Sequence, residues 1–502
     1  MRTTPPLRRA IGQLHRHPAS ALVIGRSVGF AAAFAIPIVL SRILDQTEFG
    51  TYKQLFLIYT TLFGVAQLGM AESLYYFIPR DSKGAGQHIA SALATLAAAG
   101  VGCLALLVLF SAGIAGWLKN LQLTPGLLPL GIFLILTLVA APFEIVLVSR
   151  RKYGSAALAY AVSDLMRVAC VLSPAIVIGT ISSVMWGAAG FACARVGAMV
   201  WTLRRDLVTG FRPNVVMWRE QLAYALPFAL AVAVDVIQSN FHQYVVATRY
   251  DAATFAIFAV GVLQVPLVDV IATSSANVMM VKMGADGLDR RAALALWHNT
   301  IERLSLLVFP LVVFMLIAAR DIIVLVYTDA YLASVPIYQL STLAILPTCL
   351  CVDAVLRARA QTRVLFGLNL VRLGAVAAFI GWSLTAFGLR GAVVATLLAT
   401  LLARALGLAR IARLMNVGVV ELLPWKRLTI TGLVAMTAAL PALWVQAALS
   451  APRLLELSIV AAIYGAAFVL LFFRQGALTR SATPTEARVP SPTCERRVPD
   501  AL

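Results

Sequence analysis

Residues 39–52 read VLSRILDQTEFGTY, and residues 245–258 read VVATRYDAATFAIF. Aligned at an offset of 206, Asp45 falls on Asp251, Phe49 on Phe255 and Tyr52 on Phe258, and the turn chemistry repeats. Farther on, the basic loop Arg150, Arg151, Lys152 corresponds to Arg357, Arg359, Arg363, and Arg167 lies at nearly the place of Arg372. A duplicated helical bundle leaves weak self-similarity of this kind, and transporter folds commonly arise that way.

The stretches flanking these turns are almost wholly apolar. Of 502 residues, 61% are hydrophobic and only 13% charged, with a mean hydropathy of +0.87. This excludes a soluble globular protein and makes the bilayer the solvent. A spanning helix needs roughly 20 apolar residues. About fourteen such stretches fall near 19–41, 54–79, 88–115, 125–148, 155–178, 184–203, 221–246, 254–280, 298–319, 335–356, 364–386, 391–410, 428–449 and 453–473. The expected fold class is all-α and polytopic: two parallel six-helix repeats forming two lobes, plus two C-terminal helices. Residues 1–203 make the N-terminal lobe, 204–220 a cytoplasmic linker with Gly210 and Pro213, and 221–412 the C-terminal lobe. Residues 413–474 hold the two additional helices. The tail, 475–502, is rich in Pro, Ser, Thr and Arg, lacks the apolar content to fold, and is expected to be disordered.

A net charge of +19 on one folded face would suggest nucleic acid. Here the charge is spread over alternate loops. With the amino terminus placed in the cytoplasm, 28 Lys and Arg fall inside, while seven fall outside: Arg42, Lys53, Lys119, Arg249, Arg320, Arg390 and Arg453. That asymmetry is the positive-inside pattern; it puts both termini in the cytoplasm of a multi-pass protein and leaves no role for nucleic acid. Cys103, Cys170, Cys193, Cys349 and Cys351 sit within apolar spans as small hydrophobes, so neither a disulfide framework nor a metal site is expected. The first apolar run is interrupted by Arg26 and followed by thirteen more, which makes it a retained helix rather than a signal peptide.

Three segments carry a family resemblance: LSRILDQTEFGTYKQ at 40–54, QLGMAESLYYFIPR at 67–80 and SRRKYGSAALAYAVSDLMR at 149–167. With them the chain resembles the Wzx-type polysaccharide flippases of the multidrug/oligosaccharidyl-lipid/polysaccharide (MOP, MATE-like) exporter superfamily. The resemblance covers the whole chain in span count and halves. It implies two six-helix lobes in a bacterial cytoplasmic (inner) membrane and a cargo of oligosaccharide on polyprenyl pyrophosphate. That cargo moves from the inner to the outer leaflet by alternating access, for exopolysaccharide, O-antigen or capsule synthesis. The partners it implies are the lipid-linked oligosaccharide, membrane lipids, a proton or sodium ion, and polysaccharide polymerase and export proteins. No cofactor is implied. The two spans beyond a twelve-helix core argue against the usual multidrug branch.

Ionisable groups at membrane depth are costly, by roughly 2.5–3.5 kcal/mol each on insertion scales, so each should line a cavity, pair or snorkel. Arg26 and Glu72 lie about 10 Å from the cytoplasmic face by helical rise and could pair; snorkelling and helix capping are the plainer alternative. Arg167, Arg195, Arg303, Arg372 and Arg404 all fall at or below mid-depth on that side. A pyrophosphate headgroup loaded there needs such forks, which bind its oxygens bidentately at any relevant pH. Mutual neutralisation of Asp164 and Arg167, three apart on one helix, is the alternative reading for that arginine. In the second half, Asp235 and Asp269 lie near the midplane, with His242 two turns from Asp235 on the same face, a candidate proton or sodium site unless each bonds a neighbouring helix.

No Walker loop, HExxH or glycosyltransferase carboxylate pair is present, so no enzyme is expected. Two rivals to the flippase remain. A cation-coupled multidrug exporter of the same fold would favour a cavity rich in acid and aromatic groups, and a polysaccharide polymerase or ligase would need a large external loop.

Overall fold

The computed structural model describes residues 29, 34–81, 83–210, 214–263, 266–284, 289–449 and 452–481, with the side chains of 205–210, 266, 267, 269, 419 and 475–481 excepted. Among the described residues the chain is helical and holds no strand. Its first bundle comprises α1 (Phe34–Ile43), α2 (Gln46–Ala66), α3 (Met70–Arg80), α4 (Ala85–Leu109), α5 (Ser111–Trp117), α6 (Thr124–Ala140), α7 (Pro142–Ser149), α8 (Tyr153–Ile178) and α9 (Ile181–Gly210). The second comprises α10 (Val215–Arg249), α11 (Ala252–Gly261), α12 (Pro266–Met283), α13 (Arg290–Ile317), α14 (Ala319–Val326), α15 (Val335–Leu343), α16 (Val352–Ala358), α17 (Thr362–Phe387) and α18 (Leu389–Met415). After the short α19 (Val419–Leu422), α20 (Trp425–Ala448) and α21 (Arg453–Ser481) pair with each other and lean on α13.

Among the described residues, twelve helices are long and apolar enough to cross a membrane. The difference from the expected fourteen lies at two places. Most of the first span falls outside the described residues, leaving Phe34–Ile43, and the eighth is divided into α11 and α12. The expected linker is largely helical, since α9 runs to Gly210 and α10 begins at Val215. Likewise the expected tail begins within α21, and 482–502 lie outside the described residues.

The duplication is written in the backbone. Asp45 and Asp251 have the same extended conformation, φ −68°, ψ 172° and φ −72°, ψ 171°. Each caps the helix that follows by accepting an amide hydrogen bond, from Glu48 at 2.7 Å and Thr254 at 2.9 Å. Thr254 holds the Asp251 carboxyl below the usual aspartate value through its hydroxyl and its amide. The fourth span of each bundle repeats a longer pattern: a 3-10 turn (Leu121–Leu123, Asp329–Ser334), a helix with proline in its first turn, a break, and a short helix. Both short helices end alike. Arg151 and Ala360 are left-handed, at φ 59° and 54°. The amides of Lys152 and Gln361 reach back to Leu147 and Leu356 at 2.9 and 2.8 Å, and those of Arg151 and Ala360 to Val148 and Arg357 at 2.8 and 3.0 Å. This is a Schellman closure, with non-glycine residues in the left-handed position.

The bundles meet along two lines. Buried Phe49 of α2 lies edge-on to Tyr327 and Tyr331, and α2 packs on its repeat counterpart α11, where a Cβ on Gly50 would sit 1.8 Å from the Ala252 carbonyl oxygen. Meanwhile α10 lies along α2 and α3 from end to end. At one end Gln221 Nε2 donates to Ser73 Oγ at 2.8 Å and Tyr224 stacks on Tyr76 with ring centres 4.5 Å apart. Asn240 Nδ2 then donates to Thr61 Oγ1 at 3.0 Å, and at the far end Lys119 Nζ donates to the Arg249 carbonyl at 3.3 Å. Within the first bundle Arg195 Nη2 bonds both oxygens of Glu144 at 2.8 Å, tying α9 to α7; Glu144 is 2% exposed.

Two stability predictions follow from these contacts. Gly50→Ala should lower the stability of the full-length protein in detergent by about 1–3 kcal/mol through overpacking against backbone, whereas Gly113→Ala, in open space, should leave the melting curve unchanged. Glu144→Leu strands a guanidinium and should cost about 3–5 kcal/mol, with the Glu144→Leu/Arg195→Met double variant melting closer to wild type; a double variant no better than the single would show that the pair is not the source of the loss.

Candidate functional site

Each bundle encloses a cavity, and the two differ in chemistry. In the first, α1, α2, α6, α8 and α9 wall a space of about 310 Å³ lined by Phe34, Tyr52, Phe56, Tyr59 and Phe133, with Lys53 and Arg167 as its charged groups. Lys53, counted in sequence among the outside-loop charges, is instead inside: capping by Asp45 starts α2 at Gln46, so Lys53 lies two turns into a helix and projects into the bundle. The hydropathy signal begins only near residue 54, which is why it was missed.

The second bundle holds adjoining cavities of about 310, 220 and 100 Å³. Arg372 is shared by the largest and smallest, and Asp353, Arg357 and Arg404 by the other pair, so the three form one polar chamber. His242 and Ser239 face its large compartment; Asp235 and Asn369 face the small one. Arg404 Nη1 bonds Asp353 at 2.6 Å, and Arg372 donates to the Gln238 side-chain oxygen at 3.2 and 3.3 Å once that amide is oriented to satisfy both. Asp353 was not singled out in sequence, and Arg357 only as a residue of the repeated basic loop, because both fall where the tenth span breaks at Leu346–Leu350 and restarts at Val352.

The structure therefore brings Arg372, Arg404, Asp235 and His242 together and puts Arg167 in the opposite bundle. Arg167 also pairs with Asp164 at 2.9 Å. Arg195 is engaged by Glu144, a residue whose place in an apolar run just after Pro142 was a signal that sequence reading passed over. Arg303 is exposed on α13 and lines none of these cavities. Glu72 lies in the first turn of α3, with Oε2 buried and without a hydrogen-bond partner among the described residues. Arg26 lies outside the described residues, and so does the side chain of Asp269.

Comparison with solved structures gives the fold a context. An inward-closed lipid II flippase, MurJ, superposes with a TM-score of 0.66 at 13% identity, covering 92% of this chain and 99% of that one. An inward-facing multidrug resistance MATE family transporter of the MOP superfamily gives 0.63 at 13% identity, over 77% and 94%. A MOP superfamily transporter from Pyrococcus furiosus gives 0.53 at 12%, over 80% and 95%. At such identities the likeness is one of fold. No curated protein matches the chain. The family model described as "Polysaccharide biosynthesis protein" matches residues 39–336, more than half of the sequence and the whole region between the two repeated turns. The chain is thus a multi-pass membrane protein with the fold seen in MurJ and in MATE family transporters, and it belongs to the polysaccharide biosynthesis protein family.

Proposed function

We propose that the protein is a flippase that carries a polyprenyl-pyrophosphate-linked oligosaccharide from the inner to the outer leaflet of a bacterial cytoplasmic membrane. The observation that carries this reading is the chamber of the second bundle, where Arg357, Arg372 and Arg404 face Asp235 and Asp353. Three fixed cations against two carboxylates leave an excess that suits a phosphate group, and guanidinium forks match its oxygens. A fold shared with a lipid II flippase supports a lipid-borne cargo, and membership of a polysaccharide biosynthesis family supports a glycan destined for exopolysaccharide, O-antigen or capsule.

In this reading the lobes are 1–203 and 221–412, and they rock about the central space while the lipid tail stays in the bilayer. The charge asymmetry supports cytoplasmic termini, and moving Lys53 from the outside count into a cavity sharpens it. The chain itself does no covalent chemistry; a polymerase and export proteins act on what it delivers. Coupling to a proton or sodium ion would run through Asp235, His242 and Asp269; at Asp235 a cation would share its compartment with the Arg372 guanidinium. A multidrug exporter is disfavoured by the first cavity, where a lipophilic cation would meet Lys53 and Arg167.

In a deletion strain, a membrane-impermeant probe applied to intact and everted membranes should find lipid-linked oligosaccharide confined to the cytoplasmic leaflet, with surface glycan lost. Arg372→Ala should reproduce that at normal membrane abundance, cutting translocation roughly 10–100-fold, the worth of one charge-assisted contact of about 1.5–3 kcal/mol. Normal translocation in the deletion strain with altered sensitivity to cationic drugs would favour the exporter; outward-facing but unpolymerised units would favour the enzyme. Arg26→Ala should likewise abolish surface polysaccharide, and normal export by that variant would remove Arg26 from the site.

A further inference from the structure

The first-bundle cavity has no place in a mechanism that needs only a pyrophosphate site. Its floor is a run of rings along α2: Tyr52 lies 5.8 Å from Phe56, Phe56 5.4 Å from Tyr59, and Tyr59 4.7 Å from Phe133 of α6. Aromatic stripes at helical spacing are usually core. Here, however, Phe56 is 40% exposed and the rings face empty space of about 310 Å³. That volume is at the lower end of small-molecule pockets, roughly 300–1,000 Å³, and suits a sugar ring rather than a polyprenyl chain.

Lys53 projects into this space. Among the described residues it has no hydrogen-bond or ion-pair partner, and its ammonium lies 5.3 Å from the centre of the Phe49 ring. Arg167 spends its charge on Asp164. Residues 1–44 contain no Asp or Glu, so the segment leading into α1 brings no acid to the cavity. Removing an ammonium from water is costly, and one ring at cation–π distance offsets only part of that cost, so a site of this kind is completed by an anion. The duplication supplies an internal control. At the offset of 206 that aligns Asp45 with Asp251 and Phe49 with Phe255, Lys53, Phe56 and Tyr59 fall on Ala259, Val262 and Val265. Both copies keep the cap and the first two aromatics, Phe49 with Phe255 and Tyr52 with Phe258; the lysine and the rings of Phe56 and Tyr59 belong to the first copy alone.

We infer that this cavity is a subsite for an acidic sugar, with the C–H face of a pyranose packed on Tyr52, Phe56 and Tyr59 and its carboxylate met by Lys53. A pyrophosphate, with more oxygens to satisfy, belongs to the three guanidinia of the other bundle; a single ammonium suits a single carboxylate. The substrate class is thereby narrowed to repeat units carrying a hexuronate or similar carboxylated residue. The inference rests on the flippase reading.

Two measurements test it. Lipid-linked saccharide extracted from the deletion strain and analysed by mass spectrometry should contain at least one carboxylated sugar per repeat unit. A unit whose only charges are its phosphates overturns the subsite while leaving the flippase intact, whereas absence of any accumulated lipid-linked saccharide overturns the flippase and the subsite with it. Separately, purified full-length protein in nanodiscs is titrated with a glucuronate-containing disaccharide and with its neutral glucose counterpart. The acidic sugar should bind at least tenfold more tightly, the preference should vanish in Lys53→Met, and it should persist in Lys53→Arg. Equal affinity for the two sugars, an unchanged preference in Lys53→Met, or equally effective competition by inorganic pyrophosphate would each overturn it.

Discussion

A peptide group facing hydrocarbon without a hydrogen-bond partner costs several kcal/mol, so a chain that crosses a bilayer must satisfy its backbone within each span or hide the exceptions inside protein. The architecture follows from that demand. The spans least covered by the rest of the protein, α8, α17 and α21 among them, run unbroken, and the spans that carry breaks are more deeply covered. The breaks at Leu68 and Gly69, at Ala141, and from Leu346 to Cys351 all occur in spans that line or adjoin the interior. Each is closed by local bonds: Met70 to the Gln67 carbonyl at 3.0 Å, Ala141 to Leu138 at 3.1 Å, Cys351 to Thr348 at 3.3 Å. The break from Leu346 to Cys351 lies against the chamber and brings Asp353 and Arg357 to it.

The same solvent governs the charges. Isolated at depth they would be expensive, and the two bundles meet the cost differently. In the first, Glu144 with Arg195 ties α7 to α9 and Asp164 with Arg167 closes within α8, while Lys53 stays open among the charges that line the cavity. In the second, carboxylates and guanidinia alternate around a shared space without closing into neutral pairs throughout. Two copies of one bundle have therefore diverged in what their interiors can hold while keeping the turns that make them bundles.

How much of this was legible depended on which physical signal a residue gives. The repeated turn was plain, because Asp45 and Asp251 do the same capping job and a cap tolerates few residue types. Hydropathy found the long helices, since lipid selects for composition alone. It failed where capping, not apolarity, sets a helix start, and so put Lys53 in a loop; it also failed where a helix continues as a charged rod out of the apolar zone, as α9 does through Arg204. Arg372, Arg404, Asp235 and His242 were legible as candidates because charge in an apolar run is conspicuous. Their grouping was not, nor was the engagement of Arg195 by Glu144 across 51 residues. Partners of that kind depend on how helices cross, which no one-dimensional periodicity encodes.

The contact of α10 with α2 and α3 runs the length of the molecule, fastened near Ser73, Thr61 and Lys119. Geometrically it is a spine, and a body with a spine opens like a book. Under the flippase reading proposed above, a cargo trailing a hydrocarbon chain would have to keep that chain away from this bound edge, because packed side chains close it. The seam would then give the protein a handedness about the membrane normal as well as a top and a bottom.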